Sequence, residues 1–127
     1  MKNKGFTLVE IMIVVAIILL LAAITIPNIT RARIQANQAS AQGTLKLISS
    51  SLENYYALNN AYPLVTTSLI GASPPYLSID YFAGIHNGYT FTSTLATYSY
   101  FVAAYPVNAN SGNYSYTVST GGVIQAY

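Results

Sequence analysis

Glu10 lies in a run that is otherwise apolar from Phe6 to Ile26, apart from Thr7 and Thr25. A carboxylate inside such a helix costs roughly 2.5–3.5 kcal/mol on insertion scales. Either it reaches back to the membrane interface near one end, or a positive partner compensates it. The rest of the chain offers little for bond-making chemistry. There is a single histidine, His86, and beyond Glu10 the acids are Glu53 and Asp80. Catalysis needs a nucleophile with its base, paired carboxylates or a metal cluster, and these residues supply none of them. His86 stands beside Asn87-Gly88 and reads as a solvated turn residue. With no cysteine, disulfides and thiolate metal sites are excluded. The chain reads as a non-enzyme that needs no cofactor.

The formal charge of +2 misleads. Lys2 and Lys4 fall within the first five residues. Without those five, Arg31, Arg33 and Lys46 face Glu10, Glu53 and Asp80, and no net charge remains. Three cations in a neutral chain make a weak patch for nucleic acid, which is disfavoured as a partner. Only 6% of residues are charged, and from Tyr55 onward polarity comes from Ser, Thr, Asn and tyrosine hydroxyls. That suits a surface outside the cell, or one packed against copies of itself.

Four segments must position these residues. Residues 1–5 form a short basic leader ending in Gly5. Residues 6–27 form an apolar helix. From Phe6 to Ile26 it measures about 30 Å, which matches a hydrocarbon core. A cleaved secretory signal is the alternative, but its core would be shorter and would not lead into more helix. Residues 28–56 continue the helix, with Ile34, Ala41, Leu45, Ile48, Leu52 and Tyr55 on one stripe. Pro27 is expected to kink the helix rather than end it.

Residues 57–127 form a β-rich head. Thr66–Ser73 reads as a loop or short helical turn stopped by Pro74-Pro75. Asp80–Ile85 and Tyr89–Thr94 flank Asn87-Gly88 as a hairpin. Tyr98–Tyr105 is a further strand, and Tyr114–Ser119 and Val123–Tyr127 flank Gly121-Gly122. The fold expected is α+β: a long N-terminal helix, half membrane-like and half amphipathic, packed on a small antiparallel sheet of four or five strands.

Lys4-Gly5-Phe6-Thr7-Leu8-Val9-Glu10, followed by the apolar helix and Pro27, resembles the processing and assembly signal of type IV pilins and pseudopilins. The resemblance covers residues 2–33. It implies cleavage after Gly5 by a prepilin peptidase and methylation of the new N-terminus at Phe6. It further implies an ion pair in which Glu10 neutralises the Phe6 ammonium of a neighbouring subunit, lost heavily if one partner goes. The partners implied are copies of itself, an inner-membrane platform and a cytoplasmic assembly ATPase. The precursor would sit in the inner membrane and the product in an extracellular filament. Leu19 stands where family members commonly carry Gly, and Leu favours helix by nearly 1 kcal/mol. In the head, Asn59-Asn60-Ala61-Tyr62-Pro63 resembles the Tyr-Pro turn after the long helix of many pilins.

The sequence therefore reads as the major structural subunit of a type IV pilus serving adhesion, motility or DNA uptake. A pseudopilin of a type II secretion system is the nearest alternative. Asp80 is the one acid beyond Glu53, which leaves no carboxylate set for the calcium site of major pseudopilins. A single-span, membrane-anchored monomeric binding module is the alternative from another class. The paired tyrosines Tyr98/Tyr100 and Tyr114/Tyr116 read as surface or inter-subunit aromatics on half-buried strands.

Overall fold

The computed structural model describes Met1 and residues 4–127. Lys2, counted above in the basic leader, lies outside the described residues. The chain divides into two compact units, Met1–Arg33 and Ile34–Tyr127. One helix, α1 (Leu8–Asn59), contributes to both.

In the first unit α1 opens at Leu8, two residues later than the apolar run begins, because Thr7 caps it. Glu10 N–H donates to Thr7 Oγ1 at 3.2 Å, while Glu10 Oε2 accepts from Thr7 N–H at 2.7 Å and from its hydroxyl at 2.8 Å. This is a reciprocal capping box, which satisfies two donors that the first turn leaves orphaned. α1 continues through Pro27. The polar side chains nearby are satisfied within the helix itself. Thr25, Asn28 and Thr30 donate to the carbonyls of Leu21, Ile24 and Ile26 at 2.8, 3.0 and 3.2 Å. Such self-satisfaction is what a helix without water around it requires. The most apolar 18-residue window of α1 has a mean hydropathy of 3.0 and none of it is buried.

In the second unit the polar half of α1 buries Ala41, Leu45, Ile48 and Leu52. Ile34 and Tyr55, the ends of the expected stripe, are half-buried. The helix ends at Asn59, three residues beyond the expected Tyr56. There Asn60 turns left-handed at φ 54 and its N–H returns to Tyr56 O at 2.8 Å, an Asn-type C-terminal cap. A short helix, α2 (Thr67–Ile70), follows and buries Leu69.

Four antiparallel strands complete the unit: β1 (Tyr89–Ala96), β2 (Ser99–Pro106), β3 (Tyr116–Ser119) and β4 (Ile124–Ala126), in the order β1-β2-β3-β4. Register is set by Phe91 opposite Ala104, Val102 opposite Val118, and Tyr116 opposite Ala126. The inner face, including Tyr89, Phe91, Tyr100, Val102, Ala104, Tyr116 and Val118, joins the α1 stripe, Tyr62, Leu69 and Leu77 in one core. Each large apolar side chain there contributes roughly 1.5–3 kcal/mol.

The first expected hairpin is the main correction. Tyr89 does begin a strand and Asn87-Gly88 does form a tight turn, but Asp80–Ile85 is not a strand. His86 pairs with Tyr89 as a single bridge. Upstream, Asp80 Oδ1 accepts from the Phe82 N–H at 3.0 Å and Gly84 adopts φ 86. A side-chain turn followed by a left-handed glycine steers the chain away from the ladder.

Candidate functional site

Two places combine polar chemistry with position, one in each unit. In the first, Gly5 and Phe6 precede α1 and are exposed, and Glu10 is exposed within its first turn. The carboxylate is held by Thr7, so it has a fixed orientation before any partner arrives. Around it stand Phe6, Ile11, Ile13 and Val14, which with Glu10 line a shallow apolar hollow. Exposed apolar surface continues along the helix through Ile17, Leu20, Ile24 and Ile29. A surface of this size requires lipid or other protein.

The second place was not foreseen from sequence. Glu53 lies one position beyond the buried Leu52 and is itself half-buried. Its carboxylate accepts from the Tyr62 hydroxyl at 3.2 Å (Oε1) and 3.1 Å (Oε2), and from the Tyr100 hydroxyl at 3.1 Å (Oε1). Tyr100 Oη is also 2.8 Å from Ser49 Oγ. Since the Tyr100 proton is directed at Glu53, Ser49 is the donor in that second bond. The rings pack edge to face, with Tyr62 and Tyr100 centroids 5.0 Å apart, and Tyr56 stacks on Tyr62 at 4.6 Å.

Burial pushes the Tyr62 hydroxyl up to about 12, and the hydrogen bond to Glu53 and its negative charge add to this. Burial likewise raises Tyr100, reinforced by Glu53 and opposed by Ser49. Both tyrosines thus stay protonated as donors. Above the cluster lies an open recess of about 660 Å³ lined by Lys46, Ser49, Ser50, Glu53, Asn54, Tyr62 and the Thr120–Gly122 turn. Gly122 has φ +75, a left-handed conformation that favours glycine, and a Cβ there would press on Ser49 Oγ at 3.3 Å.

The four tyrosines expected at the surface divide. Tyr98 and Tyr114 are 73% and 53% exposed, but Tyr100 and Tyr116 are 3% and 5% exposed. The correction follows from where the strands begin. Tyr98 and Tyr114 lie outside the strands, whereas Tyr100 and Tyr116 are inward-facing positions of β2 and β3. The signal for Glu53 was its spacing: Ser49 and Glu53 are four apart beside the apolar stripe, which places them on one face.

Comparison with known proteins bears on the first place. Residues 1–26 match the prokaryotic N-terminal methylation motif. The chain is 41% identical over 61 residues to the type IV major pilin protein PilA of Myxococcus xanthus, covering 48% of this chain and 28% of the relative. It is 44% identical over 71 residues to the type IV wide pilus major component PilA4 of Thermus thermophilus, covering 55% of this chain and 54% of the relative. It is 42% identical over 62 residues to the type II secretion system core protein G of Pseudomonas aeruginosa, covering 49% and 44%. The chain thus spans about half or less of the length of these relatives. None of the three names is that of an enzyme. Residues 1–26 carry the prokaryotic N-terminal methylation motif, in a chain related over about half its length to type IV major pilins and to the core protein G of type II secretion systems.

Proposed function

We propose that this chain is a structural subunit of a type IV pilus. A prepilin peptidase cuts after Gly5, Phe6 is N-methylated, and the apolar half of α1 holds the precursor in the inner membrane. A platform and a cytoplasmic ATPase then move it into an extracellular filament, where Glu10 neutralises the Phe6 ammonium of a neighbour and Pro27 bends the stem. The filament acts mechanically, in adhesion, motility or DNA uptake. The observation that carries this reading is the methylation motif over residues 1–26, which takes in the start of α1, a helix whose most apolar stretch is unburied. Membrane lipid and then sister helices supply the missing partner in turn.

The test is the intact mass and N-terminal sequence of protein sheared from the cell surface. A chain beginning at N-methylated Phe6 in that fraction supports the proposal. A chain beginning at Met1 and confined to membranes would replace it with the anchored monomer. The similarity to core protein G favours a secretion pseudopilin as the second reading. A processed chain that never reaches the sheared fraction, together with failed protein secretion on deletion, would select that alternative.

A further inference from the structure

We infer that the recess above Glu53 seats the Arg31–Arg33 segment of a second copy of the chain, an inference that rests on the filament reading above. The Glu53 carboxylate is half-buried, and its hydrogen-bond donors are the neutral hydroxyls of Tyr62 and Tyr100. Those bonds orient the anion without neutralising it. Oε1 accepts from both tyrosines, whereas Oε2 shares only the single hydrogen of Tyr62, which leaves it open to a further donor. Around it the recess is lined by Ser49, Ser50, Asn54 and Thr120, whose hydroxyl and amide oxygens have lone pairs to offer a further donor. A carboxylate ringed by hydroxyl and amide oxygens suits a planar guanidinium, whose fork of five donors binds bidentately.

The charge inventory identifies the occupant. Once residues 1–5 are gone, the cations are Arg31, Arg33, Lys46 and the new N-terminus, and the acids are Glu10, Glu53 and Asp80. The ammonium is taken by Glu10. Lys46 already lines the rim of the recess and carries no planar fork. Arg31 and Arg33 are both exposed and lie immediately after the apolar segment. Every copy carries the recess on one unit and the arginines on the other. A contact between two such different surfaces is heterologous and repeats from copy to copy, as a filament requires.

The chain has no cysteine, so introduced pairs report unambiguously. In sheared filaments of the double variant Ala32→Cys, Ser50→Cys, mild oxidation should give a ladder of dimers, trimers and higher species. Exclusively monomeric chains in intact filaments would overturn the inference while leaving the filament reading in place. Glu53→Gln decides the matter if the cysteine pair blocks assembly. It should lower sheared filament at least tenfold at unchanged membrane level, with the head still folded by circular dichroism. Wild-type filament yield from Glu53→Gln would overturn the inference. Wild-type chain absent from the sheared fraction would end both readings.

Discussion

Ser49 on α1 and Tyr100 on β2, 51 residues apart in sequence, meet through a buried 2.8 Å hydrogen bond between their hydroxyls. It ties the helix to the sheet beside the Glu53 carboxylate, which accepts from the same Tyr100 hydroxyl. Tyr100→Phe leaves the Ser49 hydroxyl, only 4% exposed, without its acceptor and takes one donor from Glu53. The expected loss is about 1–3 kcal/mol, read as a lower denaturation midpoint of the full chain in detergent. Ser49→Ala should cost less. The double variant should fall short of the sum, and strict additivity would mean that the bond contributes nothing.

Alkaline pH should unfold the head. The Tyr62 hydroxyl is pushed up to about 12, above its value of about 10 in an unfolded chain. Between those values the unfolded state loses a proton that the folded state keeps. The stability it contributes is therefore complete below pH ~10 and drains away as pH rises from ~10 toward ~12. Tyr62→Phe should flatten that slope in a pH series of thermal melts. An unchanged slope would assign the transition to other tyrosines.

Gly112 is close-packed. A Cβ there would strike the ring and hydroxyl of Tyr89, whose Oη donates to the Tyr114 carbonyl at 2.8 Å. Gly112→Ala should cost about 1–3 kcal/mol by overpacking and lower the melting temperature by several degrees. A midpoint equal to wild type would show that Tyr89 can move aside freely.

Glu10→Ala removes both the acid and half of the capping box with Thr7. Membrane levels should be normal and sheared filament absent, as measured by immunoblot of the two fractions. Thr7→Val keeps the acid but loses the cap, a local cost of about 0.5–2 kcal/mol, and should reduce filament less. Equal filament yield from Glu10→Ala and wild type would remove the ion pair from the assembly scheme.

Much of this was legible because the deciding signals are local. Apolar spacing located the stripe Ala41–Leu45–Ile48–Leu52, and Gly121-Gly122 located the closing turn, since both follow from backbone geometry over a few residues. What stayed hidden depends on where side-chain turns and strand ends fall and, for Glu53, on a contact distant in sequence. Asp80–Ile85 reads as a strand until Asp80 and Gly84 bend it. Tyr100 and Tyr98 look equivalent until the start of β2 at Ser99 separates them. Glu53 looks like a solvated helix position until Tyr62 and Tyr100 close over it. Even Glu10, evident at once from composition, is held by Thr7 through bonds that composition does not show.

From Tyr81 to Tyr127, which includes the whole sheet, there is no acidic or basic side chain apart from His86. Dissolved ions have almost nothing there to shield. On the filament reading, a fibre presenting this sheet should grip what it touches as firmly in brine as in fresh water. Its hold would depend on hydroxyls and aromatic rings, and not on the salinity of its surroundings.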